Sequence, residues 1–359
     1  MNDFHFEERP YQTTAVQEVL AEFAAGRKSV LLESPVGSGK TIMGLMIIRE
    51  LQANSRTPLT VNWVASRKHI LDQTRLVNEM YFHCDLRYVS VFSSNPPSAD
   101  MIVLDEAHHE ATQSCIDMYE KTGNSLTLGL SATPMRTDRM RLSFQNNVDC
   151  CGIQQLIHMG VLSPYDSYKL PVWDLEFMEK IFCENPEKWG KTIAFFSRID
   201  ECNHFRNALE SSGIRCEVVT GSSNKDKQLD LFAQGDVQVV ANVSVLTEGF
   251  DLPELQSVFL RDASRLPTIQ MVGRGLRKAP GKTSCAIVQS SKSAYPVERI
   301  AAPRQSFRYM KEKWLSCGGD TQVILDTVEE TLSRLEKRGK LNLGKKHRFG
   351  PFVREVRVR

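Results

Sequence analysis

Ser34-Pro35-Val36-Gly37-Ser38-Gly39-Lys40-Thr41 has the residue types and spacing for holding a triphosphate. Gly37 and Gly39, with Pro35 and Ser38 between and before them, let backbone N–H groups close around phosphate oxygens. Lys40 can reach the terminal phosphates, and the Thr41 hydroxyl can ligate Mg²⁺. Ser34 stands where the usual spacing has glycine, and its small side chain still permits the turn. A segment of this kind arises by chance. A second stretch, Val103-Leu104-Asp105-Glu106-Ala107-His108, adds a metal-holding carboxylate in Asp105 and a water-polarising one in Glu106. Together the two indicate a nucleoside triphosphatase.

Such groups need rigid elements to aim them. An apolar run, Val30–Leu32, precedes the loop and a helix-like run, Ile42–Leu51, follows it, while Asp105 ends an apolar strand. Further strands are expected at Val61–Ala65, Tyr88–Phe92, Met101–Leu104 and Thr127–Leu130. A Pro-containing passage around residues 160–172 reads as a domain boundary. A second series follows at Thr192–Phe196, Arg215–Val219, Val237–Ala241, Val258–Leu260 and Ser284–Val288. Helix-like runs lie between, among them Ile199–Ser211 and Lys225–Phe232. The alternation predicts an α/β protein with parallel sheets, divided as 1–160, 161–300 and a helical and basic extension, 301–359. Helical stretches are expected at Phe307–Leu315 and Val323–Arg338. Gly281-Lys282-Thr283 precedes a strand and opens no helix, so it reads as a turn. With one working phosphate loop for two layers, a nucleotide would sit in the cleft between them.

Composition is that of a globular protein, with no apolar run able to span a bilayer and an acidic, aromatic N-terminus unlike a signal peptide. The nine cysteines include no Cys-x-x-Cys pair, so neither a zinc site nor a disulfide framework is expected, and the setting reads as cytoplasmic. The adjacent Cys150-Cys151 reads as incidental. Net charge is +2, but residues 334–359 hold ten Lys/Arg against two Asp/Glu. A basic end on a mildly acidic body points to a polyanion partner.

The motifs in this order resemble the superfamily-two helicases and translocases of the DEAH-box kind, over about residues 7–290. Arg9-Pro10-Tyr11-Gln12 looks like the adenine-reading segment, Ala65-Ser66-Arg67 like the motif touching the nucleic-acid backbone, and Ser131-Ala132-Thr133-Pro134 like the coupling motif. Ile193–Ser197, Thr247-Glu248-Gly249-Phe250-Asp251 and Gln270-Met271-Val272-Gly273-Arg274-Gly275-Leu276-Arg277 match the second domain's motifs. Within the superfamily the chain is most similar to type III restriction-subunit ATPases and RadD-like repair helicases. It departs from them in having no cysteine-rich module and only about 35 residues between Ala65 and Met101.

The resemblance implies two tandem RecA-like domains, ATP and Mg²⁺ as cofactors, and nucleic acid, DNA more than RNA, as partner. Gln12 would contact the base, aided by Arg9, while Gly249 and Asp251 would lie at the phosphates and ribose. His108 would hydrogen-bond toward Gln270, Ser131 or Thr133 and report nucleotide state. His108 and His109, adjacent on a strand, would point apart and chelate poorly; His109 receives no role. Arg274 and Arg277, three apart on a helix, would face one side and act as arginine fingers. Ser66, Arg67 and Thr247 would grip phosphates without reading sequence.

The leading expectation is therefore an ATP-dependent DNA helicase or translocase. Its rivals are a nucleotide-gated binding subunit within a larger assembly, an RNA helicase, and a metabolic kinase, the last disfavoured by Gln270–Arg277. Residues 334–359 have too few large apolar residues for a core of their own, so they are expected to grip phosphates. Deleting them should flatten the salt dependence of duplex binding, by about 0.9 in log–log slope per phosphate released. A salt titration of both chains checks this, an unchanged slope assigning the segment elsewhere.

Overall fold

A computed structural model describes residues 8–317, apart from 111, 124, 137–139, 244, 247–251 and 253. The expected helix at Val323–Arg338 and the basic end lie outside the described residues.

Six parallel strands form the first sheet: β1 (Ser29–Glu33), β2 (Val61–Ala65), β3 (Arg87–Ser90), β4 (Met101–Asp105), β5 (Leu126–Ser131) and β6 (Asn146–Asp149). Their order is β3-β2-β4-β5-β1-β6. Helices α1 (Pro10–Ala24), α2 (Lys40–Asn54), α3 (Lys68–Val77) and α4 (Gln113–Thr122) accompany them. β2 and β4 are buried along their whole length, as strands of a sheet covered on both faces must be. Trp63, Leu32, Met43 and Leu130 lie in the core on one face, with Leu31, Val64 and Leu104 in that on the other. The C-terminal ends of β1, β5 and β4 lie side by side, which brings Ser34, Ser131 and Asp105 to one edge.

The chain crosses to the second domain through Cys150, Cys151 and Gly152 into α5 (Ile153–His158). Cys150 packs against the first domain's core and Cys151 against the second's.

The second sheet has eight strands: β7 (Tyr165–Leu170), β8 (Thr192–Phe195), β9 (Cys216–Val219), β10 (Val239–Asn242), β11 (Ser257–Leu260), β12 (Cys285–Ser290), β13 (Gln305–Met310) and β14 (Lys313–Ser316). Their order is β14-β13-β7-β12-β11-β8-β10-β9, all parallel except the β13–β14 hairpin. Helices α6 (Leu175–Glu184), α7 (Pro186–Trp189), α8 (Ile199–Ser211), α9 (Lys225–Gln234) and α10 (Arg265–Gly275) complete it. Gly281, at φ +75, lies in the expected turn. Among the described residues no helix is long and apolar enough to cross a membrane.

Two expectations are corrected. The passage read as boundary contains β7, whose polar residues hide it: buried Asp166 takes Arg304 in a bidentate pair at 2.9 and 2.7 Å, and Ser167 donates to Glu298 at 2.6 Å. Phe307–Leu315 is no helix but the β13–β14 hairpin, which extends the second sheet. Burial of aromatic rings there outweighs local propensity. Phe307 stacks on Tyr168 at 4.8 Å, and Trp314 meets Tyr168 edge-on at 4.9 Å. Fully buried Trp189 joins this cluster, 5.9 Å from Trp314, and its Nε1 donates to the Ile181 carbonyl at 3.0 Å. Trp189→Ala should therefore destabilise the second domain by about 3–5 kcal/mol. A lowered urea midpoint monitored on that domain checks it.

Candidate functional site

Leaving β1, the chain turns through Ser34–Gly39 into α2, with Gly37 at φ +83 and Gly39 at φ +90. The loop braces itself. Ser34 Oγ donates to Ser38 Oγ at 2.6 Å, and Ser38 Oγ donates to the Pro35 carbonyl at 2.7 Å. From α1, Tyr11 Oη and Gln12 Nε2 both donate to the Ser38 carbonyl, at 2.8 and 3.0 Å. Gln12, expected at the base, is buried beneath the loop and also accepts from the Arg9 N–H at 3.2 Å. Gly39 is required twice over. Its φ disfavours other residues, and a Cβ there would lie 2.5 Å from Gln12 Nε2.

Lys40 Nζ donates to the carbonyls of Ser34 and Pro35, at 3.2 and 3.4 Å. Burial lowers its pKa, opposed by the charges of Glu106 and Asp105 and reinforced by Arg274 and Arg277. Asp105, buried at the end of β4, is pushed the other way. Burial and the Glu106 charge raise its pKa, with Lys40 opposing. Glu106 takes a left-handed backbone, φ +53, a strain of about 1–3 kcal/mol for a residue with a side chain. Its Oε2 lies 3.4 Å from His108 Nδ1.

Lys40, Thr41, Asp105 and Glu106 line a cavity of about 460 Å³ together with Arg9, Gly37 and Gly39. Arg274 and Arg277 line it from the second domain. The hard oxygens of Thr41 and Asp105 suit Mg²⁺, and a carboxyl whose charge is disfavoured by burial is the group a cation would stabilise. Among the described residues no three or more His, Cys, Asp or Glu side chains cluster as a metal cage. Mg²⁺ held by one or two carboxylates plus substrate phosphates needs none.

Arg277 reaches the cavity differently from expectation. Helix α10 ends at Gly275, so helical spacing does not align Arg277 with buried Arg274. Instead Arg277 pairs as a bridge with Leu162, and Ser163 N–H donates to the Leu276 carbonyl at 2.7 Å. Val161 and Leu162 thus line the cavity, as does Lys278, none of them expected from motif spacing. The apolar pair before Ser163-Pro164 was the available signal. Gly273 brings α10 against the loop: a Cβ on it would stand 2.7 Å from Val36 Cβ.

Buried Gln270 meets His108 across the two domains, Nε2 to Nε2, at 3.4 Å. His108 and His109 lie on a single 3₁₀ turn, not a strand, with ring centroids 4.1 Å apart. Ser131 ties β5 to the phosphate loop, its carbonyl accepting from Ser34 N–H at 2.9 Å, and its Oγ accepts from Thr133 N–H at 3.3 Å. Ser66 and Arg67 follow β2, and Arg67 Nη1 donates to the Val245 carbonyl of the second domain at 3.4 Å. Thr247, Gly249 and Asp251 lie outside the described residues.

Residues 5–91 match the family of the type III restriction enzyme res subunit, and residues 173–279 match the helicase conserved C-terminal domain. The putative mitochondrial ATP-dependent helicase irc3 of Schizosaccharomyces pombe is 25% identical, with 78% of this chain and 56% of the relative covered. The putative ATP-dependent helicase IRC3 of Saccharomyces cerevisiae is 24% identical, with 78% and 51% covered. The chain therefore spans about half the length of these relatives. Among solved structures, the Type ISP restriction-modification enzyme LlaBIII bound to DNA superposes with a TM-score of 0.61 at 20% identity, covering 79% of this chain and 27% of that one. Dbp5 of S. cerevisiae bound to RNA and ADP BeF3 gives 0.55 at 17%, covering 79% and 88%. These likenesses show the fold: tandem RecA-like domains.

Gly39→Ala should weaken triphosphate binding about 5- to 30-fold, the equivalent of forcing one L residue left-handed. Adding Gln12→Ala removes the collision but also the Gln12–Ser38 brace, and leaves the strain, so binding should not return to the parent level. Titration with a fluorescent nucleotide reads both.

Proposed function

We propose that the chain is an ATP-dependent helicase or translocase of superfamily two acting on DNA, a reading supported by the matches of residues 5–91 to the type III restriction res-subunit family and of residues 173–279 to the helicase conserved C-terminal domain. One observation carries the reading. Lys40, Asp105 and Glu106 of one domain and Arg274 and Arg277 of the other line a single cavity. Hydrolysis there requires both domains together, and this is how turnover is coupled to domain closure.

Phosphoryl transfer to water is mostly positioning and charge neutralisation. Lys40 and the N–H groups of Gly37–Thr41 hold the phosphates, Arg9 lies on the side of the base, and Gln12 braces the loop from beneath. Thr41 and Asp105 would hold Mg²⁺, which supplies charge neutralisation at the phosphates when bound. Glu106 orients the attacking water and accepts its proton. Arg274 and Arg277 offset charge on the γ-phosphate as ADP leaves. The Gln270–His108 contact and the Ser131–Thr133 segment relay the state of that site between domains. Gly249 and Asp251 serve the phosphates and ribose, and Ser66, Arg67 and Thr247 hold backbone phosphates of the strand. DNA is preferred over RNA because the restriction-type resemblance favours it.

Glu106→Gln should keep nucleotide affinity and lower turnover about 10²–10⁴-fold, the usual worth of a general base. Arg274→Ala should abolish strand-stimulated hydrolysis, with a loss of about 10³–10⁵-fold, and lower affinity less. Phosphate release measured without nucleic acid and with single-stranded DNA, duplex DNA and RNA checks both and ranks the strands. Parent-like turnover in Glu106→Gln would remove this residue from the chemistry.

A further inference from the structure

Strand β3 ends at Ser90, short of the expected Phe92, whose side chain stands outside any core. At 69% exposure it is the most exposed large apolar side chain among the described residues. Its backbone is nevertheless fixed. Val91 N–H donates to the Ala65 carbonyl at 3.1 Å, Phe92 N–H to Ser90 Oγ at 3.2 Å, and Ser93 N–H to the Ser90 carbonyl at 2.9 Å. On a braced turn the ring has only its two side-chain torsions to lose on binding.

Phe92 borders a cavity of about 310 Å³ with Ser66, Arg67, His109 and Thr112. That volume is near the lower end for ligand pockets and suits one flat ring system. Its rim combines an aromatic face with a guanidinium and two hydroxyls, and exposed Lys68 follows Arg67 in sequence. An apolar peptide side chain would use the ring alone. A nucleotide also brings a phosphate, which the remaining donors of Arg67 beyond its bond to the Val245 carbonyl and the Ser66 and Thr112 hydroxyls can meet while the base lies on the ring. Asp105 forms part of the wall of this cavity and of the nucleotide cavity, so the two are one residue apart.

We infer that Phe92 is a stacking platform for an unpaired base of a DNA strand seated beside Ser66 and Arg67. The inference rests on the proposed action on DNA and adds a base contact to the phosphate contacts considered above. It makes single-stranded DNA the preferred form on this face, because a base inside a duplex has both faces covered by its stacked neighbours.

Fluorescence anisotropy with labelled oligothymidylate, intact or carrying abasic sites, tests it. Phe92→Ala should weaken binding of the intact strand about 5- to 150-fold, and Phe92→Trp should retain it. On the abasic strand the parent and Phe92→Ala should bind alike. Undiminished binding by Phe92→Ala, or an equal loss on both strands, overturns the stacking role. Full affinity in Phe92→Leu also overturns it, because an aliphatic side chain has no face on which a base can stack. A parent chain that takes up neither strand overturns the reading of DNA as substrate, and this inference falls with it.

Discussion

The cleft between the two domains depends on how closely α10 can lie against the Ser34–Gly39 loop. The contact falls at Gly273, where a methyl group would stand 2.7 Å from Val36 Cβ. Any side chain there would wedge the domains apart and withdraw Arg274, one residue on, from Lys40 and the acidic pair. A second glycine, Gly275, lets the same helix settle on its own sheet, where a Cβ would meet Cys285 Sγ at 2.7 Å and Val258 at 2.8 Å. The spacing of glycines and arginine in Gly273-Arg274-Gly275 is thus a packing requirement on two faces of one helix, and the arginine's placement follows from it.

Within the cleft, like charges are held together against their preference. Burial lowers the pKa of Lys40, with Arg274 and Arg277 adding to the shift, and burial followed by the Glu106 charge raises that of Asp105. Each cluster is tolerable because the other faces it. In so buried a setting a highly charged ligand changes the electrostatic balance more than it would at a surface.

The strands behind the candidate site were legible in the sequence because they are buried on both faces and read as unbroken apolar runs: Val30–Leu32 before the loop, Met101–Leu104 before Asp105. What escaped were places where tertiary partners override local pattern. β7 carries Asp166, Ser167 and Lys169 into the sheet because Arg304, Glu298 and Gln289 meet them there. The Phe307–Leu315 segment has charges spaced as on a helix, and its rings pair instead with Tyr168 and Trp189. Arg277 was legible as a cleft residue but not by its route, since the bridge to Leu162 involves residues more than a hundred positions apart. No local signal records such a pairing.

The crossing at Cys150–Gly152 has one further consequence. Three residues span about 10 Å when extended, and the cysteines at its start are each packed into a different core. The second domain is thereby leashed to the first, and its arginines face the Gly37–Thr41 loop at an effective concentration in the millimolar range, whatever the protein concentration in solution. Bringing the two halves together thus sacrifices almost no translational freedom. What remains is rotation about a short strut, so ligand binding has only an angle to set.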